Sequence, residues 1–258
     1  MAFLELHFHA ESLGMEVAIN VILPEMAKKQ SETGEELSYK TMYLFHGLSD
    51  DYTIWMRRTS IERYATEYGI AVVMPSVARS WYTDTVSNSK FFTFVTKELP
   101  EVCRGFFKGM SDKREDTIVA GLSMGGYGAI KAALSCPERF GCCASLSGAL
   151  DLTERSEFME DWPGIFDYQL KNPMELKDTC HDVFAIARRN HEAGVQFPKL
   201  YMWCGDSDIF CGCNQRFHSM LDEFGVEHLY EESEGGHSWP CWDLHIQSAL
   251  KYLLGDQD

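Results

Sequence analysis

The sequence predicts an α/β fold with a mainly parallel sheet covered by helices on both faces. Three observations carry this. From Thr41 onward, short apolar runs alternate with longer segments of helical periodicity. That rhythm makes parallel strands joined by crossover helices, which bury a sheet on both sides. No repeat, low-complexity tract or Pro/Gly/Ser linker interrupts the 258 residues, so 1–258 reads as a single domain.

The elements follow in order. Residues 15–23 (MEVAINVIL) put Val17, Ile19 and Val21 on one face at strand spacing. Residues 25–38 are polar and read as a surface loop. Residues 41–45 (TMYLF) are a short strand running into His46-Gly47, and 54–68 are helical. Residues 70–74 (IAVVM) are a strand stopped by Pro75. Residues 91–107 are helical, with Pro100 expected to kink or break them. A strand over 117–120 precedes a helix over 125–134. Strands over 140–146, 200–204 and 226–230 follow, with helices over 213–224 and 242–254. Residues 148–198 break the rhythm, because about fifty residues is far longer than an ordinary loop. With a helix expected over 178–192, they form either a crossover with long flanks or an insertion that makes a pocket wall or small lid.

Composition narrows the function. Hydrophobic residues make up 45% and charged residues 24%, the profile of a packed globule. The net charge of −16 repels phosphate backbones and anionic lipid, so neither nucleic acid nor membrane is an expected partner. The first residues, MAFLELHFHAESLG, lack the basic start, apolar stretch and cleavage site of a signal peptide. Nine scattered cysteines, an odd number, fit reduced thiols and a cytoplasmic location. Cys204, Cys211 and Cys213 lack the paired spacing of structural zinc sites, so no metal is expected. A homo-oligomer is compatible with the sequence.

The chemistry concentrates in Gly121-Leu122-Ser123-Met124-Gly125, a G-x-S-x-G pattern with a strand before it and a helix after. So tight a strand-to-helix turn strains the serine backbone and leaves no room for side chains beside it. Glycines meet that demand, and the turn lifts the hydroxyl above the sheet edge. Ser123 is therefore the expected nucleophile of an α/β-hydrolase. A serine hydroxyl needs a base, and in this fold the order along the chain is serine, acid, histidine. His237, in the loop Gly235-Gly236-His237-Ser238-Trp239 after the last strand, is the expected base. His228 and His245 lie inside elements and read as structural. The acid follows the strand 200–204, where Asp206 and Asp208 are both placed to orient the imidazole. Two backbone N–H groups, from Met124 and from Leu48 beyond the Gly47 turn, are the expected oxyanion donors. His46 precedes the nucleophile and reads as structural. Trp239 and Trp55 are candidate walls of the substrate pocket, although the default for any aromatic is core. Trp81 and Tyr82 are further candidates on the same footing.

GLSMGGYGA (121–129), the HG turn at 46–47, WMRRTSIER (55–63), WYTD (81–84), SGAL (147–150) and GGHSWPCWD (235–243) resemble bacterial tributyrin-esterase-like enzymes of the esterase D group. That group also holds S-formylglutathione hydrolases, feruloyl esterases and acetyl esterases. The resemblance implies a sheet of about eight strands, ester hydrolysis through an acyl-enzyme, and no cofactor. Its C-G-x-x-D pattern falls on Cys204-Gly205-Asp206-Ser207-Asp208 and selects Asp208 as the acid. The expected activity is a serine carboxylesterase acting on a small ester with a short acyl group, acetyl to butyryl or a feruloyl type. A thioesterase of the S-formylglutathione hydrolase kind, or an acyltransferase on the same fold, is the alternative.

Overall fold

The computed structural model describes residues 1–25, 38–85, 88–153 and 176–255. Most of the polar loop expected over 25–38 lies outside them, as does the middle of the 148–198 insertion. Eight strands form one sheet in the order β1-β2-β4-β3-β5-β6-β7-β8. They are β1 (Ala2–Ala10), β2 (Met15–Leu23), β3 (Thr41–Phe45), β4 (Ala71–Pro75), β5 (Thr117–Leu122), β6 (Cys142–Leu146), β7 (Lys199–Gly205) and β8 (His228–Ser233). β1 and β2 form an antiparallel hairpin, and β2 runs antiparallel to β4. All other pairings are parallel.

The burial of the strands explains their sequences. β3, β4, β5 and β6 are buried at every residue, because helices cover both faces, and their sequences read as continuous apolar runs. Tyr43 and Phe45 of β3 enter one core and Met42 and Leu44 the other. β1, at the sheet edge, alternates between half-buried and exposed residues up to the buried Ala10.

The expected helix over 54–68 is two, α1 (Ile54–Arg58) and α2 (Ile61–Tyr68). The break falls at Thr59, whose backbone is extended. Asp243 then accepts from the Ser60 N–H at 3.2 Å and from the Tyr64 hydroxyl at 2.8 Å, fastening the new helix start. Pro100 does not end its helix, but the regular α-helical turns are interrupted just ahead of it. The segment α3 runs from Phe91–Thr93 through a π-helical turn, Phe94–Glu98, into Leu99–Phe106. Proline has no N–H for the carbonyl one turn back. That carbonyl, on Thr96, instead accepts from Arg139 Nη1 at 3.0 Å.

Helices α4 (Met124–Ser135), α5 (Val183–Glu192), α6 (Cys211–Glu223) and α7 (Trp239–Leu254) complete the layers. The helix expected over 178–192 starts late because Asp182 caps it, accepting from Ala185 N at 3.0 Å. α7 begins earlier than expected, with Pro240 in its first turn, where a missing N–H costs nothing.

Candidate active site

The turn between β5 and α4 holds Ser123 at φ 54° and ψ −118°, a left-handed backbone forced on a non-glycine residue. A Cβ at Gly121 would sit 2.4 Å from the Gly125 carbonyl oxygen, and one at Gly125 would sit 2.6 Å from that of Phe45. Both positions therefore admit glycine only. Hydrogen bonds from Ser123 N to Leu146 O (2.9 Å) and from Tyr127 N to Ser123 O (3.1 Å) hold the turn in place.

Two loops at the carboxyl ends of β7 and β8 meet this turn. They interlock through backbone bonds from Asp206 N to Ser233 O and from Ser207 N to Gly235 O, each 3.0 Å. The approach is so close that a Cβ on Gly205 would lie 2.3 Å from the Gly235 carbonyl oxygen. Asp206 is exposed, and its carboxylate accepts from Gly235 N at 3.3 Å and from the neighbouring Ser207 hydroxyl at 2.9 Å. Asp208 is buried and points inward. Its carboxylate oxygens lie 3.1 and 3.0 Å from His237 Nδ1, and Oδ1 also accepts from Phe210 N at 2.9 Å. On the other side of the ring, Nε2 lies 3.0 Å from Ser123 Oγ. This network sets the tautomer: Nδ1–H donates to Asp208 and Nε2 accepts from the serine hydroxyl. Burial raises the Asp208 pKa, but the His237 hydrogen bond and charge, with the Phe210 amide, outweigh it and leave the carboxyl below its usual range.

His46 is buried with both ring nitrogens committed. Nδ1–H donates to Gly47 O at 2.7 Å, and Nε2 accepts from Val77 N at 3.0 Å. Burial drives its pKa down to about 4, so the ring is neutral. It shapes the turn that carries Gly47 and Leu48, which matches its structural reading. The Tyr82 hydroxyl donates to the His46 carbonyl at 2.9 Å, and its ring stacks on Phe45. Tyr82 and Trp81 are core residues, not pocket walls.

A cleft of about 500 Å³ opens over Ser123 and His237, with Gly47 and Leu48 on one side and Trp239, Pro240 and Trp242 on the other. Met124 opens α4, so its N–H has no carbonyl one turn back to bond. Trp239 lines the cleft as expected. Trp55 does not: it is buried behind the cleft, donates to Phe45 O at 3.1 Å and supports Trp239 edge-on at 5.2 Å. The apolar residues Phe158, Trp162, Ile165 and Phe166, also candidates for a pocket wall, lie outside the described residues.

Several neighbours escaped the sequence reading. Phe210 and Trp242 stand edge-on to the His237 ring, at 5.3 and 4.9 Å. Trp242 Nε1 donates to Ser147 Oγ at 3.0 Å, and Ser147 also bonds Asp208. Asp50 and Arg58 put charge on the cleft wall. Burial raises the Asp50 pKa, while the Gly47 backbone and nearby arginines work against it. A tryptophan next to a loop histidine is a weak signal, because aromatic residues default to core. Of the thiols that invited a metal reading, Cys204 is buried with its pKa pushed up, Cys213 Sγ donates to Phe210 O, and Cys211 is half-buried.

This serine, histidine and carboxylate set on a strand-to-helix turn over a parallel sheet defines an α/β-hydrolase. The chain belongs to the Esterase family, whose profile it matches over residues 10–253, and it is a carboxylic ester hydrolase. It is 30% identical to an acetyl esterase of Caldicellulosiruptor saccharolyticus, with 98% of each chain covered. Among solved structures it resembles the fluorophosphonate-binding serine hydrolase FphF of Staphylococcus aureus (32% identity, 99% of each chain, TM-score 0.87). An S-formylglutathione hydrolase of the same organism is also similar (33% identity, 98% of each chain, TM-score 0.85). Among the described residues no helix is long and apolar enough to cross a membrane.

Proposed function

We propose that the chain hydrolyses esters of short acyl groups, acetyl to butyryl, through an acyl-enzyme on Ser123. The observation that carries this is the continuous relay from Ser123 Oγ through His237 to Asp208, with 3.0 Å at each step. His237 Nε2 takes the serine proton as Oγ bonds to the ester carbonyl carbon. The carbonyl electron pair moves onto oxygen, where the Leu48 and Met124 N–H groups receive it. The imidazolium then passes its proton to the departing alkoxy oxygen as the C–O bond breaks, leaving the acyl group on serine. Water repeats the sequence and releases the acid. Asp208 holds the imidazole in the accepting tautomer and stabilises its charged form.

A short acyl group fits a cleft of modest volume whose walls carry Asp50 and Arg58 beside Trp239. A flat cinnamoyl-type acyl group also fits, because a planar ring can pack on the exposed face of Trp239. Thioester hydrolysis is the second reading, favoured by the likeness to an S-formylglutathione hydrolase. The chemistry needs no cofactor, and the nine free cysteines support a cytoplasmic location. The test is Ser123→Ala with p-nitrophenyl acetate: a folded protein with activity down by about a millionfold is expected. A folded variant keeping more than a few per cent of activity refutes the reading. Parallel assays with an acetyl ester and an S-acyl glutathione separate the two substrate classes.

A further inference from the structure

Far from the cleft, on the outer edge of the sheet, two histidines and a carboxylate converge without any part in the ester chemistry. α6 carries His218 and Asp222 one turn apart, hence on one face. That face packs against β8, whose first residue is His228. His218 Nδ1 lies 2.7 Å from His228 Nε2, and Asp222 Oδ1 lies 3.8 Å from the same His228 nitrogen. We propose that His218, Asp222 and His228 bind a divalent transition-metal ion of the zinc type, which braces the outer edge of the sheet.

The orientation of His228 supports this. Its side chain is 3% exposed, and Nδ1–H donates to the Val226 carbonyl at 2.8 Å. That bond fixes both tautomer and ring plane, as an outer-shell carbonyl does for a metal-bound imidazole, and leaves the Nε2 lone pair accepting from His218 Nδ1–H, whose proton a bound ion would displace. The His218 ring stacks on Tyr230 with centroids 4.7 Å apart, which keeps it beside His228. Two imidazoles with one carboxylate suit zinc, nickel or copper rather than magnesium or calcium, which favour oxygen. Ligand atoms about 2.1 Å from a tetrahedral ion stand about 3.4 Å apart. The histidine nitrogens must therefore open slightly and the carboxylate close slightly. Both moves fall to His218 and Asp222, whose side chains are 33% and 63% exposed, against a fixed His228.

The position assigns the ion a structural role. His228 pairs with Leu200 at the start of β7, whereas Ser123, Asp208 and His237 all follow strand ends, so the site lies at the opposite end of the sheet. An ion there would tie α6, which follows the Asp208 loop, to β8, which leads into the His237 loop.

The test uses the whole protein, stripped with a chelator and titrated with zinc chloride, and with magnesium chloride as the control. Calorimetry should show one zinc per chain. At free zinc about 100-fold above the dissociation constant, the unfolding midpoint should rise on the order of 5 °C. Magnesium should leave it unchanged. His218→Ala alters a half-buried side chain at the edge of the fold and Asp222→Asn an exposed one; both should fold, keep esterase activity and lose most of the zinc shift. His228→Gln, the buried ligand, serves as a third variant. No zinc binding by the wild type, or a shift that survives in the His218→Ala/Asp222→Asn double variant, overturns the site.

Discussion

Asp208→Asn probes the relay where its geometry is tightest. In the wild type, Oδ1 accepts from the Phe210 amide at 2.9 Å, and Oδ2 faces His237 Nδ1 at 3.0 Å. An asparagine in the same pose keeps its carbonyl oxygen toward Phe210 N–H, because that amide needs an acceptor. Its NH2 group then faces Nδ1 and donates to it. The ring proton moves to Nε2, and the nitrogen facing Ser123 loses the lone pair that takes the hydroxyl proton. The expected loss in kcat/KM approaches ~10⁴-fold, or about 5.4 kcal/mol of transition-state stabilisation. The fold should survive, since volume and hydrogen-bond count are nearly unchanged. Asp206→Asn makes the matched control. The carboxylate at 206 only accepts, from Gly235 N and Ser207 Oγ, and an amide oxygen does the same. Its loss should stay within about tenfold, the scale of one modest hydrogen-bond change. The assay is p-nitrophenyl acetate hydrolysis at neutral pH, with unfolding midpoints measured alongside. A folded Asp208→Asn variant within tenfold of wild type, or a larger loss at Asp206, refutes the orientation argument.

Three further outcomes are expected. Across p-nitrophenyl esters of increasing acyl length, kept below micelle concentrations, kcat/KM should stop rising and then fall beyond about four to six carbons. Each added methylene gains roughly 0.8 kcal/mol only where apolar wall receives it, so a steady rise through long chains would reveal an acyl tunnel. Gly128→Ala should lower stability by about 1–3 kcal/mol in urea unfolding, because its Cβ would lie 2.5 Å from the Tyr82 ring that anchors the His46 turn; an unchanged midpoint would show that the ring yields freely. Lys131 is buried, donates to Thr83 Oγ1 at 2.8 Å, and burial lowers its pKa from 10.5 to about 8. Between those values the unfolded chain holds the proton that the folded chain has lost, so wild-type stability should gain with rising pH. Lys131→Met removes that gain, so the stability difference, wild type minus variant, should grow between pH 8 and 10; a flat difference contradicts the burial of the charge.

The parts of the site tied to local backbone demands were legible beforehand. Gly121, Ser123 and Gly125 announce a turn that excludes side chains, and the chain order of serine, acid and histidine points to His237. The choice between Asp206 and Asp208 was not local. It depends on how the loops after β7 and β8 interlock, and only the family pattern separated the two. The partners of His237 were hidden for the same reason: Phe210 and Trp242 lie 27 residues before and five after it, and nothing in their surroundings distinguishes them from core. Pro100 marked where the regular helix is interrupted, but a single residue cannot show that Arg139, far along the chain, would satisfy the carbonyl it leaves bare. The break at Thr59 likewise depends on Asp243 at the other end of the sequence. The strand β1 escaped the sequence reading, although AFLELHFHA alternates, because its apolar face is mostly only half-buried and the segment stands outside the αβ rhythm.

The indole rings beside the imidazole have an optical consequence. Trp242 stands edge-on to His237, and Trp239 stands edge-on to Trp242 at 5.2 Å while lining the cleft. Indole emission responds to charge and polarity within a few ångströms. A proton arriving on the imidazole, or an acyl group settling against Trp239, changes the light emitted by rings the protein already carries. Intrinsic fluorescence can therefore follow turnover of natural, colourless esters in real time, with no chromogenic leaving group to distort which substrates the cleft accepts.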